Sequence, residues 1–327
     1  MATYGGEKGF TIPTIAGDPP APKLGQIWYN TTSNVLKGYV TTTAGWSSAT
    51  SIPVGTADMG SGGTTTAAII WGGTPFDNVG NDTWEYDGTS WTAGGTMTTI
   101  LGGNAGTGTQ TAAIGAGGHN GAGYQSDTAM EYNGSSWTAI TADPASNAAI
   151  RGTAGIQTAF LTVGGYYPTQ TNVTSLWDGS AWTTGGVYPV SKTAIKANGT
   201  QAACFAAGGN PGFIATSNTF DGSTWTATGS LTTARAYGGT GGSVTVGLYF
   251  GGSNPGNVTN SETYDGTSWA AAPTMVGTAR NAPAQGWGVG SADLGVLCFG
   301  GNLAPGYSTA VEEWDAGGDS VVTLTSS

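Results

Sequence analysis

The chain contains a single histidine, which limits the metal chemistry that it could perform. His119 is the one imidazole among 327 residues. Copper-dependent oxidation at a tyrosine would need at least two imidazoles together with a crosslinked cysteine. Cys204 and Cys298 instead lie in separate apolar runs, which is typical of inert core thiols. The sequence therefore excludes that mechanism, and we expect no metal, no cofactor and a solvated role for the histidine.

Arginines and carboxylates are the remaining candidates for catalysis or anion binding. The three arginines, Arg151, Arg235 and Arg280, lie far apart in the sequence. We expect them to form hydrogen bonds within the fold, and convergent binding of an anion is the less favoured alternative. A general acid–base pair would be unique in the sequence, but acids or amides recur here at one turn position. That position is occupied by Asp87, Asn133, Asp178, Asp221 and Asp265. No catalytic residue is assigned, and the chain is predicted not to be an enzyme.

An internal repeat determines where these residues lie. A double glycine closes a short apolar run six times, at intervals of 45, 47, 44, 43 and 49 residues. Farther along each repeat stands an aromatic residue, then Asp-Gly or Asn-Gly, then a tryptophan. Asp-Gly between two strands predicts a two-residue hairpin, and a double glycine allows close approach of a neighbouring sheet. Four short strands per repeat of this length indicate one blade of an all-β propeller.

The order of these elements resembles the kelch motif, over about residues 46–320. An apolar residue follows the tryptophan by six positions, and a basic residue follows it by ten or eleven, as Lys192, Arg235 and Arg280. One repeat departs from the pattern, because it has Asp143 at the apolar position and its arginine, Arg151, comes later. The resemblance implies a kelch-like β-propeller, similar to the central domain of galactose oxidase.

The two ends of the repeat array are incomplete in complementary ways. Trp46 stands as the tryptophan strand of a blade that has no beginning, and the last repeat, EEWDAGG, has no tryptophan after its turn. We therefore expect the strand around Trp46 to complete the final blade, which removes open sheet edges. This predicts six blades; the alternative is a seventh, partial blade built from residues 27–48.

The loops after the double glycines are the variable part of the repeat and are expected to share one face of the propeller. Aromatic residues in such loops suit sugar rings, although they could serve only to shape the loops. The repeat does not match the Asp box of sialidase propellers, because its aspartate and tryptophan are four positions apart, whereas those of the Asp box are five apart. The candidate binding residues are Phe76, His119, Tyr124, Tyr166, Tyr167, Phe213 and Tyr307.

Residues 1–26 lie outside the repeat and read as an extended, proline-punctuated arm. Its apolar side chains are spaced as separate anchors for docking to another protein: Phe10, Ile12, Ile15 and Leu24. The next segment, GQIWYNTTSNVLKGYVTTTAGW, resembles a hairpin module of bacteriophage tail-fibre and other virion proteins, but departs from it at Val40-Thr41-Thr42-Thr43. The predicted domains are thus an arm at 1–26, a hairpin and ring-closing strand at 27–50, and a propeller at 51–327.

Charge narrows the choice of partners. A formal net charge of −11 with eight Lys plus Arg disfavours nucleic acid and anionic membranes as partners.

Together with the absence of a secretory signal, the arm and the hairpin favour a non-enzymatic phage virion protein for structure or adhesion. It would be made in the host cytoplasm, oligomeric in the particle, displayed outside it and able to contact a host glycan. The alternatives are an intracellular kelch-like interaction scaffold, and a lectin or glycan-active enzyme.

Overall fold

A computed structural model describes residues 12–120, 126–143, 149–166, 168–281, 284–285, 295–303 and 305–324. The chain divides into two compact units: unit 1 comprises Met1–Ala44 and Ala316–Ser327, and unit 2 comprises Gly45–Asp315. Within the described residues there are seven four-stranded sheets and one short helix.

Unit 1 holds one sheet, with the strands β1 (Thr14–Ile15), β2 (Ile27–Asn30), β3 (Val35–Thr42) and β28 (Gly318–Thr323). The first sheet of unit 2 comprises β5 (Gly60–Thr64), β6 (Ala67–Trp71), β7 (Thr83–Tyr86) and β8 (Trp91–Ala93), with helix α1 (Phe76–Val79) between β6 and β7. The second comprises β9 (Ala105–Thr109), β10 (Ala112–Ala116), β11 (Ala129–Tyr132) and β12 (Trp137–Ile140). The third comprises β13 (Gly152–Ile156), β14 (Ala159–Val163), β15 (Thr174–Trp177) and β16 (Trp182–Thr184).

The fourth sheet comprises β17 (Lys196–Thr200), β18 (Ala203–Ala207), β19 (Ser217–Phe220) and β20 (Trp225–Thr228). The fifth comprises β21 (Gly239–Gly242), β22 (Gly247–Phe250), β23 (Ser261–Tyr264) and β24 (Trp269–Ala272). The sixth comprises β25 (Ala284–Gln285), β26 (Val296–Phe299), β27 (Val311–Asp315) and β4 (Gly45–Ala49).

Each repeat of the sequence supplies the strands that its pattern predicts. The apolar run before the double glycine forms the second strand, and the aromatic residue and the tryptophan face each other across the next hairpin. Tyr86 is opposite Trp91 in the first sheet, for example, and their rings stack with centroids 4.9 Å apart. Such cross-strand aromatic pairs stabilise antiparallel sheets. The expected all-β fold of four-stranded antiparallel sheets is confirmed.

Glycines let the first strands of the sheets lie close together. The first strand of each sheet in unit 2 contacts that of the next, in the cyclic order β5, β9, β13, β17, β21, β25 and back to β5. A Cβ atom on Gly62 would lie 2.5 Å from the carbonyl oxygen of Gly108 in the next sheet, so only glycine fits there. Sheets arranged in this way are consistent with the blades of a β-propeller.

The sixth sheet contains strands from both the N-terminal and the C-terminal end of unit 2. Strand β27 pairs with β4, and Trp314 is opposite Trp46. The Trp46 ring is 7% exposed, lies 5.0 Å from the Phe250 ring, and donates from Nε1 to Ser261 Oγ at 2.9 Å. The tryptophan missing from the last repeat is thus supplied by the strand around Trp46.

Two of the repeated basic residues form buried ion pairs. Arg235 lies 2.9 Å from Glu262, and Arg280 lies 2.7 Å from Glu312. Each glutamate also accepts hydrogen bonds from the backbone of the preceding inter-sheet connection; Glu312, for example, accepts from the Val276 amide at 2.7 Å. The sequence indicated structural arginines, but it did not identify these two glutamates as their partners.

The repeat that departs from the kelch pattern also contains a buried ion pair, but different residues form it. At the position of Glu262 and Glu312 the third sheet has Ser175, which carries no charge. Asp143 supplies the carboxylate instead and forms an ion pair with Arg151, whose Nε also donates to the Gly164 carbonyl. Both unusual residues of that repeat are therefore parts of one buried pair.

Glutamines join neighbouring sheets. In three sheets a glutamine in the turn between the first two strands donates to two carbonyls of the preceding sheet. Gln157 Nε2, for example, donates to the carbonyls of Ala113 and Tyr132, at 3.0 and 2.8 Å. Gln110 and Gln201 make the equivalent bonds. These contacts tie the turn of one sheet to the backbone of the sheet before it.

Unit 1 ties part of the N-terminal segment into a sheet. Strand β1 pairs in parallel with β2, and the Asp18 carboxylate accepts from Trp28 Nε1, Asn30 Nδ2 and Lys37 Nζ. Part of the segment interpreted from the sequence as an extended arm, residues 1–26, thus forms a strand of this sheet. The C-terminal strand β28 pairs with β3, whereas the sequence had grouped those residues with the repeats.

Candidate functional site

The residue after each double glycine has the same backbone environment in all six repeats. It forms a bridge to the connection that leads into the first strand of its own sheet. The bridged pairs are Ala57 and Thr74, Gly102 and His119, Ala149 and Tyr166, Thr193 and Asn210, Ala236 and Ser253, and Asn281 and Asn302. The loops that begin at these positions are thus structurally equivalent.

A groove of about 520 Å³ lies among three of these loops and one inter-sheet connection. Its volume falls in the range of ~300–1,000 Å³ usual for small-molecule sites. Its apolar walls include Phe76, Ile100 and Tyr307, and its polar groups include Asp77 and Asn120. We call this the loop groove; Thr74 and Pro75 complete its lining.

Three of the predicted binding residues meet at the loop groove. Phe76 and Tyr307 line it, and Tyr307 is 38% exposed. His119 packs edge-on against Phe76, with ring centroids 5.0 Å apart. The histidine is half-buried, so it is not the fully solvated residue expected from the sequence. Burial lowers its pKa, and the nearby Asp58 carboxylate opposes that shift.

The other predicted residues are not brought together with these three. Tyr166 is exposed in the third sheet's loop, and Phe213 lies half-buried in the fourth, with a backbone φ of 52°. Tyr124 and Tyr167 lie outside the described residues, as does Phe10 of the predicted docking segment. Of the other docking residues, Ile12 and Leu24 are exposed. Ile15 is half-buried in β1.

Sequence reasoning missed Asp77, Ile100 and Asn120. Asp77 and Asn120 occur in loops that the repeat marks as variable, but no pattern distinguishes them there from other polar residues. Ile100 is in the connection between the first two sheets and is 42% exposed. No sequence pattern identifies it, because its exposure beside two aromatic rings is visible only in the structure.

The recurrent turn acids have a local role in the structure. Asp87 Oδ1 accepts from the backbone amides of Thr89 and Ser90, at 2.8 and 2.7 Å. These bonds favour the ionised form and hold the pKa of Asp87 well below its usual range. Asn133 makes the equivalent backbone contacts without a charge. The position therefore needs a hydrogen-bond acceptor, for which a carboxylate or an amide suffices.

The cysteines and acids do not form any other reactive cluster in the described part of the chain. Cys204 and Cys298 are buried and unpaired, and burial raises the pKa of the Cys298 thiol to about 11. Among the described residues, no three His, Cys, Asp or Glu side chains are grouped as metal ligands would be. The one helix described is far too short to cross a bilayer.

No protein-family model matches the sequence, and no curated protein is similar enough to count as a relative.

Proposed function

We propose that the chain is a structural and adhesion protein of a bacteriophage virion, which displays a propeller whose loop groove contacts a host glycan. In this proposal unit 2 is a six-bladed kelch-like propeller, and the four-stranded sheet of unit 1 is not one of its blades. The observation that carries the adhesive role is the loop groove, where aromatic and polar side chains from separate loops converge.

The chemistry of the loop groove fits a sugar. The aromatic rings of Phe76 and Tyr307 offer faces for the C–H groups of a pyranose, while Asp77 and Asn120 provide partners for hydroxyl groups. A carboxylate accepts hydroxyl hydrogen bonds and disfavours anionic ligands, so the ligand is expected to be a neutral or cationic glycan. Among the described residues that line the groove, Asp77 is the one acid, whereas glycoside hydrolysis requires two, which favours binding over cleavage.

We expect Tyr307→Ala and Phe76→Ala each to weaken glycan binding at least about tenfold, because each removes one stacking face. Binding of the purified protein to a glycan array, followed by titration of the best ligand, measures this. Tyr166→Ala is the matched control, since Tyr166 is 43% exposed, against 38% for Tyr307, and is not among the residues that line the groove. If the wild-type protein and all three variants bound the glycan with equal affinity, the assignment of the groove would be contradicted.

The virion role depends on unit 1. Ile12 and Leu24 are 45% and 62% exposed there, and the hydrogen bonds of Asp18 fix the segment between them. An ordered segment with exposed apolar residues suits docking, because less ordering entropy is lost on binding. The resemblance of GQIWYN to phage virion proteins gives the class of partner.

We expect the double variant Ile12→Ser, Leu24→Ser to fold normally but to be depleted from assembled particles. Quantitative mass spectrometry of purified phage carrying the altered gene measures this. The matched control is Val187→Ser, Val190→Ser, which changes two valines of unit 2 that are 62% and 55% exposed. Equal incorporation of both variants would refute docking through unit 1 and leave an interaction scaffold as the better interpretation.

A further inference from the structure

A second groove lies in unit 2, at the junction of the fifth and sixth sheets. Its volume is about 470 Å³, which is within the ~300–1,000 Å³ usual for small-molecule sites. It lies among the loop of the fifth sheet, the connection between the two sheets and the loop of the sixth sheet. We call it the second groove, and its lining residues are Gly256, Asn257, Thr278, Ala279, Leu303 and Pro305.

The second groove is the structural counterpart of the loop groove. Both include the loop of one sheet, the connection to the next sheet and the loop of that next sheet. Three pairs of lining residues hold equal positions relative to the bridged residues: Asp77 and Gly256, Ile100 and Ala279, and Asn120 and Leu303. They stand three residues after, two residues before and one residue after a bridged residue, respectively. The two grooves therefore lie at the same end of the sheets.

The loop of the sixth sheet borders both grooves. Leu303 and Pro305 line the second groove, whereas Tyr307 of the same loop lines the loop groove. In the cycle of contacts the sixth sheet follows the fifth and precedes the first, because β25 contacts both β21 and β5. The two grooves are therefore neighbours that share this loop as their common wall.

Hydrogen bonds hold the shared loop in place. The Leu303 amide donates to the Gly306 carbonyl at 2.8 Å, which closes a tight turn. Asn257 Nδ2 donates to the Asn302 carbonyl at 2.9 Å and so ties the loops of the fifth and sixth sheets together. A Cβ atom at Gly306 would meet no other atom within 4 Å, so there is open space beside the turn. A ligand chain can therefore cross the loop without displacing it, and little ordering entropy is lost.

The chemistry of the second groove suits an uncharged ligand with apolar surface. Leu303 and Pro305 give it an apolar wall, and Thr278 contributes a hydroxyl. The Asn257 side chain is already engaged, because it donates to a backbone carbonyl and accepts from Asn281 Nδ2 at 2.8 Å. The described residues that line this groove carry no charge. A pyranose combines apolar C–H faces with hydroxyl groups and fits such a lining, whereas a charged ligand would lose its hydration without gaining a partner.

We propose that the two grooves are subsites for one linear, neutral oligosaccharide that crosses the loop of the sixth sheet. This inference rests on the proposed function, because it takes the loop groove as the site of one end of the chain. One sugar stacks on Tyr307, and the chain then passes the turn at Gly306. A later sugar places its apolar face against Leu303 and Pro305. The host glycan that binds best is therefore a polymer, not a single terminal sugar.

The affinity should depend on the length of the glycan. The probes are linear oligosaccharides of one, two, four or six sugars, built from glucose, mannose or N-acetylglucosamine, or from the sugar that binds best on the array. Calorimetric titration of the full chain measures their affinities. Once the first sugar is held, contact with a later sugar is intramolecular, so the hexasaccharide should bind at least about tenfold more tightly than the single sugar.

The possible failures of this experiment are distinguishable. Equal affinity at every length, with binding that still depends on Tyr307, would overturn this inference and leave the loop groove as a site for a single sugar. Absence of binding to all of these probes and to the glycan array would overturn the proposed function as well.

A bulky residue in the second groove should remove the gain from chain length. Gly256→Trp introduces an indole there, and the fold accommodates it, because a Cβ atom at Gly256 would meet no other atom within 4 Å. The variant should bind the single sugar within about twofold of the wild-type affinity but show no gain for the hexasaccharide. Asn254→Trp is the matched control, because it adds the same side chain to the same loop at an exposed residue that is not among those lining the groove.

Leu303→Ala tests the opposite wall by removing apolar surface. It should weaken binding of the hexasaccharide and spare the single sugar, whereas Tyr307→Ala should weaken binding at every length. Melting temperatures establish that the variants are folded. A gain from chain length that persists in both Gly256→Trp and Leu303→Ala would mean that the rest of the glycan lies elsewhere, and would overturn the second subsite.

Discussion

Asp143→Leu is expected to destabilise the protein by about 3–5 kcal/mol, the usual cost of leaving one member of a buried ion pair without its partner. Arg151 and Asp143 have fully buried side chains, and Arg151 cannot lose its proton to avoid the cost. Leucine is the appropriate replacement, because Leu231 occupies the equivalent position in another repeat. Chemical denaturation monitored by tryptophan fluorescence gives the free energy of unfolding.

The double variant Asp143→Leu, Ser175→Glu should recover a large part of that loss. It moves the carboxylate to the position that Glu262 and Glu312 occupy in their sheets, and Ser175 Oγ already lies 3.5 Å from Arg151 Nη2. Ser175→Glu alone, which adds a second buried carboxylate, is the control and should be destabilising. A double variant no more stable than Asp143→Leu would show that the two positions are not interchangeable.

Trp46→Ala is expected to lower the free energy of unfolding by about 3–5 kcal/mol, the range for truncating a buried aromatic residue. The change removes contacts with Phe250 and Trp314 and leaves Ser261 Oγ without its indole donor. The matched variant is Trp269→Ala, whose tryptophan is 6% exposed and lies within a single repeat. Similar losses for both would show that the β4 strand is a full member of the sixth sheet.

A small effect of Trp46→Ala beside a large effect of Trp269→Ala would contradict that expectation. It would mean that β4 is a replaceable edge and that the sheet is stable with three strands. Denaturation of both variants under the same conditions, with the slope of the transition compared, separates a local loss of β4 from destabilisation of the whole unit.

The repeated parts of the fold could be predicted because each motif of the repeat specifies the same local structure wherever it occurs. The aromatic residue, Asp-Gly and tryptophan define a hairpin by themselves, and the double glycine marks where strands end. The position of Trp46 could also be predicted. The last repeat lacks a tryptophan and Trp46 precedes the first complete repeat, so the strand around Trp46 was expected to complete the last sheet.

Contacts between distant residues were beyond the reach of the sequence. Glu262 and Glu312 stand among other acids with no feature that identifies them as partners of arginines. The loop groove combines residues from loops far apart in the chain, and only Phe76 and Tyr307 among its lining residues belong to the predicted aromatic set. Asp18 has no feature that predicts its hydrogen bonds, because its three partners come 10, 12 and 19 residues later.

The joint between β4 and β27 has a consequence for how genes of this kind can change. Strand β4 precedes the first complete repeat and β27 lies in the last, incomplete one, at the two borders of unit 2. Unequal recombination between two repeats would delete or duplicate one complete set of four strands and leave both halves in place. Each product would still possess the pieces that join its ends. Repeat number can therefore vary by whole units during evolution without creating a free edge, while mutations at Trp46 or Trp314 affect closure at any repeat number.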